Sequence, residues 1–224
     1  MARVLLGVTG SVAAIKTPEL FRLLSRAHEV RVVATTPALY FFDPQELPPG
    51  VLVRDEDEWP RRSRGEHYQR GDPVVHIELR RWAAALVVAP LDAHTLARFA
   101  LGLCDNCLAC IWRAWEWPRP VLLAPAMNTR MWYHPHTRWH LELLGRLVSD
   151  ERYVVADAVG LPTPETIVAS VHRACSWLRI LPPTEKELAC GDLGVGAMAD
   201  LGQIASVLDQ LLASSAPEIR PQER

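Results

Sequence analysis

Short apolar runs alternate along this chain with segments of helical period. Six runs read as strands: RVLLGV (3–8), VRVVAT (30–35), ALVVAP (85–90), PVLLAP (120–125), YVVA (153–156) and LRIL (178–181). They are continuous runs rich in Val and Leu, as strands covered on both faces require. Helical patterns lie near 12–26, 76–83, 93–102, 105–116 and 137–146. A further helix starts behind Thr163, an N-cap followed by Pro164. It carries Ile167, Val168, Val171, Ala174, Cys175 and Leu178 as one apolar stripe. Strands and helices in this order predict an α/β fold, a flavodoxin-like, doubly wound parallel sheet in a single domain over 1–212. Residues 213–224, with Ser, Pro and charge, predict a flexible tail. The segment 54–72, RDEDEWPRRSRGEHYQRGD, is charged and poor in aliphatics, and predicts a solvated surface loop.

Composition narrows the partners. The 224 residues suffice for one sizeable core. With 24 Lys and Arg against 26 Asp and Glu, nothing favours nucleic acid or an anionic membrane electrostatically. No apolar run has the length of a membrane span. The first strand is expected to begin at Arg3, and no signal peptide is expected. Five cysteines without a paired framework fit a reducing compartment, and a cytoplasmic location is expected. Cys104, Cys107 and Cys110 have iron–sulfur spacing, but Ala114 stands where the fourth ligand would fall. His134, His136 and His140 lack an opposing carboxylate, and no metal is expected.

A doubly wound sheet binds its ligand at the carboxyl ends of its strands, and the polar motifs fall there. Thr9, Gly10 and Ser11 follow the first strand, and a helix opens with Val12 and Ala13. Free N–H groups at such a turn suit an anion, although an ordinary capped helix has the same pattern. Thr35 and Thr36 add hydroxyls at the end of the second strand. His76 opens the helix HIELRRWA; a lone histidine at a helix start is more often structural, yet an imidazole titrates near neutral pH, as a proton-handling group must. Asn128 follows PVLLAP and suits either a substrate carboxylate or an Asx turn. Cys190 sits in ACGDLGVGAMAD with Gly191, Gly194 and Gly196. That run is too rich in Gly for a helix or strand interior and predicts a flap carrying a proton-donating thiol over a pocket.

Taken together, GVTGSVAAIK, HIELRRWA, APLDAHTL, PAMNTRMW and ACGDLGVGAMAD resemble the flavin-dependent cysteine decarboxylases, over about residues 3–147 and 178–210. The resemblance implies FMN as cofactor. It places Gly10, Ser11, Val12 and Ala13 at the phosphate and ribityl chain, with Thr35, Thr36 and Pro37 beside them. Asp92, Ala93, His94 and Thr95 would wrap the flavin, with His94 standing where the family has asparagine. Ala126 would touch cofactor and substrate, and Asn128 and Met131 would bind substrate. His76 and Cys190 would be catalytic, Cys190 by protonating an enethiolate. The implied reaction is decarboxylation of 4′-phosphopantothenoylcysteine to 4′-phosphopantetheine in coenzyme A biosynthesis. HIELRRWA favours that branch over decarboxylation of a C-terminal peptidyl cysteine. The presence of His76, Asn128 and Cys190 disfavours a non-catalytic, phosphatase-regulating relative. The family also implies a homotrimer with FMN near subunit contacts, and the chain is expected to be monofunctional. The stretch 149–177 is not accounted for by the resemblance and is expected to be an atypical insertion, ordered at the sheet's periphery.

Overall fold

The computed structural model describes residues 1–59, 65, 67–149, 161–187 and 193–215. Six parallel strands form the central sheet: β1 (Arg3–Val8), β2 (Glu29–Ala34), β3 (Leu52–Arg54), β4 (Ala85–Leu91), β5 (Val121–Pro125) and β6 (Leu178–Ile180). Their order is β3-β2-β1-β4-β5-β6, so the winding reverses between β1 and β4. Without β3 this is the flavodoxin order; the three-residue β3 extends the β2 edge. The helices are α1 (Thr17–Leu24), α2 (Asp55–Glu58), α3 (Val75–Trp82), α4 (Ala93–Leu101), α5 (Cys107–Arg113), α6 (Thr129–Trp132), α7 (Pro135–Val148), α8 (Pro164–Ala174) and α9 (Leu201–Ser214). β7 (Thr184–Glu187) and β8 (Leu193–Ala197) form a separate antiparallel pair.

Alternate strand residues enter two cores. Leu5, Leu86, Val88, Val121 and Leu123 pack with residues of α3, α4, α5, α7 and α8. Val4, Leu6, Val87 and Leu122 pack with α1 and α9. Burial on both faces is why the strands read as continuous apolar runs rather than alternating ones.

Three local readings change. The helix expected over 12–26 divides into a 3-10 turn, Val12–Lys16, and α1. Pro18 has no N–H to continue one hydrogen-bond ladder through both. Gly194 and Gly196, read as excluded from a strand, lie inside β8. There the constraint is steric: a Cβ on Gly194 would strike Thr129 Oγ1. The charge run at 54–72 is only partly a solvated loop, because β3 and α2 take its first residues and Glu58 is buried. The stripe behind Thr163 is α8, whose Ile167, Val168 and Val171 are buried beside α7 and the edge strand β6. Thr163 Oγ1 caps it, accepting from Thr166 N–H at 3.3 Å. The strand expected at 153–156, Cys190, and residues 216–224 of the expected tail lie outside the described residues.

Candidate functional site

The cofactor end predicted from sequence lies where the sheet reverses. Thr9, fully buried, donates its hydroxyl to Pro90 O at 2.9 Å and accepts the Asp92 N–H at 2.7 Å. Those bonds fasten the ends of β1 and β4 at the crevice. Gly10 is the point of closest approach: a Cβ there would lie 2.6 Å from Pro37 Cβ and 3.4 Å from Asp92 Oδ2. Only glycine lets the turns after β1, β2 and β4 converge so tightly. Ser11 Oγ caps the 3-10 turn through Ala13 N–H at 3.4 Å. Asp92 caps α4 through the N–H of buried Thr95 at 2.6 Å. Ala93 is half-buried and His94 exposed. The buried Thr35 hydroxyl has no hydrogen-bond partner among the described residues.

Thr36 depends on a residue that the sequence reading missed. Asp55 Oδ2 accepts both its N–H, at 2.9 Å, and its hydroxyl, at 3.0 Å. The other oxygen, Oδ1, accepts Cys107 N–H at 3.3 Å, at the start of α5. Glu58, three residues on and in the same short helix, accepts His76 N–H at 2.8 Å through Oε2 and pairs with His76 Nδ1 through Oε1. These carboxylates correct the expectation of a merely solvated charge run. A signal was available: in VLVRDEDE a short apolar run is followed, after Arg54, by carboxylates, a strand-end pattern akin to VVATT and VVAPLD.

The substrate end lies after β5. Ala126 is buried, and its N–H reaches Leu91 O at 2.9 Å, closing β4 against β5. Asn128 makes the Asx turn: its Oδ1 accepts Arg130 N–H at 2.9 Å and caps α6. Met131 is 47% exposed, while Trp132 is fully buried. The Trp132 indole donates to Glu165 Oε1 at 2.7 Å, so α8 buttresses this turn from behind. Burial first, and the Glu165 carboxylate next, push the Tyr133 phenol above its ordinary range. β8 roofs the same turn: Met127 N–H donates to Gly196 O at 3.1 Å, and Gly194 packs on Thr129. Cys190 itself is outside the described residues, but the two strands flanking it in sequence are rooted here.

Burial pushes the Cys110 thiol up to about 11, with the Glu58 carboxylate adding to the effect. The His134, His136 and His140 rings stack, with centroids 5.1 and 6.2 Å apart in succession. His134 Nδ1 accepts His136 N–H at 3.2 Å and so caps α7. No group of three His, Cys, Asp or Glu side chains suited to a metal ion occurs among the described residues.

A family model described as Flavoprotein matches residues 1–213. The chain belongs to the flavoprotein family. Among the relatives of this flavoprotein is a phosphopantothenoylcysteine decarboxylase of Arabidopsis thaliana, 44% identical over 96% of this chain and 87% of its own length. The mouse (Mus musculus) protein of the same name is 41% identical over 94% of this chain and 87% of its own. Among solved structures, a cysteine-to-serine mutant of PPC decarboxylase complexed with pantothenoylaminoethenethiol is 40% identical, with a TM-score of 0.73 over 95% of this chain and 98% of that one. The FMN binding protein AtHal3 is 42% identical, with a TM-score of 0.72 over 96% and 98%.

Proposed function

We propose that this flavoprotein decarboxylates 4′-phosphopantothenoylcysteine to 4′-phosphopantetheine with FMN as cofactor, in coenzyme A biosynthesis. One observation carries the reading: nearly the whole chain matches, in sequence and in fold, relatives named for this activity, one of them holding pantothenoylaminoethenethiol.

The crevice suits the cofactor. It has a side-chain-free approach at Gly10 and a buried Thr35 hydroxyl wanting a partner, while the Ser11, Ala13 and Ala14 N–H groups, expected to be free, bond within the turn. Gly10, Ser11, Val12, Ala13, Thr35, Thr36 and Pro37 would hold the phosphate and ribityl chain. Asp92, Ala93, His94, Thr95 and Ala126 would hold the flavin. When bound, FMN supplies a reversible two-electron oxidation of the substrate's thiol-bearing carbon, so that the carboxylate leaves β to a C=S sink and the overall reaction is redox-neutral.

Asn128, whose Oδ1 accepts the Arg130 N–H, engages the substrate carboxylate. His76, with Nδ1 bound to Glu58, takes a proton from the reacting end at Nε2. Cys190 returns a proton to the enethiolate carbon left when carbon dioxide departs. Met131 and Ala126 shape the pocket. Residues 1–214 act as one domain, since α9 carries the expected boundary at 212 on to Ser214, with 149–177 as its insertion and the residues after α9 as a tail. The reading includes a homotrimer with FMN near subunit contacts and a cytoplasmic location. The exposure of Val12 (45%) and Ile15 (56%) beside the phosphate turn supports a contact surface there. No helix among the described residues is long and apolar enough to cross a membrane.

The test is incubation of the purified, FMN-loaded chain with 4′-phosphopantothenoylcysteine. Carbon dioxide and 4′-phosphopantetheine are expected in equal amounts. Flavin-loaded protein that releases neither would reject the reading.

A further inference from the structure

We propose that Glu58 is a positioning residue for His76, fixing the ring proton on Nδ1 and leaving Nε2 as the nitrogen that exchanges protons with substrate. The argument starts at the helix end. His76 N–H lies in the first turn of α3, where no intrahelical acceptor exists. The N-cap, Val74, has no side-chain acceptor to offer. Glu58 supplies one from another element, through Oε2 at 2.8 Å. Its second oxygen pairs with ring Nδ1, and an ionised carboxylate can only accept, which puts the ring proton there. One carboxylate therefore grips both the backbone and the ring of the same residue. Rotation of the imidazole would break the second bond and leave a buried charge half-satisfied, which is costly.

The surroundings fix Glu58 in turn. It is buried, in a helix packed between α3 and α5. Asp55 and Glu58 are three residues apart, so they share a face of α2. Asp55 grips Thr36 and the start of α5; Glu58 grips His76. The short helix thus spaces the proton-handling ring from the cofactor turn. The Cys107 thiol near this carboxylate is pushed far above its ordinary range, by burial first and the Glu58 charge second, so it stays neutral. A buried carboxylate on the Nδ1–H of a histidine is a known way to set tautomer and orientation in proton transfer.

The kinetic arm of the test rests on the decarboxylase reading; the spectroscopic arm does not. FMN-loaded protein is labelled with 15N-histidine, and His76→Asn identifies the His76 signals. The wild type is expected to show the Nδ1–H tautomer. In Glu58→Gln the new amide N–H2 competes for Nδ1, and the Nε2–H tautomer is expected to gain. In the same variant kcat should fall about 10–100-fold, the usual cost of losing such an outer partner, with KM and flavin absorbance unchanged. Single-turnover flavin reduction measures the slow variants. In the His76→Asn background Glu58→Gln should cost nothing further. An unchanged His76 tautomer in Glu58→Gln, or an equal loss in both backgrounds, would overturn the proposal. If Glu58→Gln does not fold, Glu58→Asp, which withdraws the carboxylate by one methylene, is read by the same criteria. Wild-type protein that holds the Nδ1–H tautomer, and loses it in Glu58→Gln, yet ignores the substrate would uphold the positioning of the ring by Glu58 while rejecting the decarboxylase reading.

Discussion

At the β1/β4 crevice, Thr9, Gly10 and Asp92 leave paired parallel strands and meet one another directly, with Pro37 from the turn after β2 closing the third side. At the end of β5, the Asn128 turn is roofed by β8, a strand that arrives only after α7, α8, β6 and β7. The crevice inherits its geometry from sheet register, so it forms when the sheet forms. The substrate turn borrows its roof from a hairpin held by the Met127–Gly196 bond and the Gly194–Thr129 contact. Damage to the first should remove the cofactor. Damage to the second should leave the cofactor in place and slow the chemistry.

The largest effect is expected for Gly10→Val. Its Cβ would sit 2.6 Å from Pro37 Cβ, and its methyl groups would occupy the space between Pro37 and Asp92. Gly10 lies at the edge of the crevice rather than in the core, so the fold should survive. The protein should emerge colourless from desalting, with no flavin absorption band after added FMN. A fully yellow Gly10→Val protein would mean that this crevice is not the cradle.

A smaller effect with the opposite signature is expected for Gly194→Ala. The added methyl meets Thr129 Oγ1 and must lift β8 from the turn. FMN occupancy should be unchanged, while kcat/KM falls by up to about 100-fold, the cost of misplacing reacting groups by roughly 1 Å. Thr129→Ala in the same chain removes the obstructing hydroxyl and should recover part of the loss. If Gly194→Ala also strips FMN, the two ends are not separable and the comparison fails.

This division explains what could be read in the sequence. Strands covered on both faces leave unbroken apolar runs, and a polar residue directly after such a run marks a strand's carboxyl end. Thr9, Thr35, Asp92 and Asn128 were legible for that reason. α2 was not, because four acidic residues have no hydrophobic period, and a buried carboxylate looks solvated until its partner is placed. The partner of Glu58 lies 18 positions along the chain. Glu165 was hidden similarly, since its partner Trp132 is 33 positions away. Backbone entropy alone argues the glycines of β8 out of a strand, whereas the Thr129 contact decides Gly194.

The smallest effect expected is a pH dependence confined to the support of the hairpin. Ile180 N–H, in the strand that leads to β7, donates to His172 Nε2 at 2.9 Å, which requires that nitrogen unprotonated. Burial first, and the Arg179 charge second, hold the His172 pKa below its ordinary 6.5. The unfolded chain therefore binds the proton at higher pH than the folded one. This contribution to stability is complete above about 6.5, is lost as pH falls toward the lower folded value, and is constant below it. Thermal unfolding should show a Tm that drops from pH 7 to 5, each 1 kcal/mol lost corresponding to about 2–4 °C for a chain of this size. His172→Gln can still accept from Ile180 N–H but does not titrate, so its drop should be smaller. Amide-exchange protection should weaken at Ile180 and along β7 over this range while the Thr9 and Asp92 amides keep theirs, because no imidazole takes part in their bonds. Equal loss of protection at both ends would show that the hairpin side is not separately supported, and an unchanged pH slope in His172→Gln would assign the acid sensitivity to other groups.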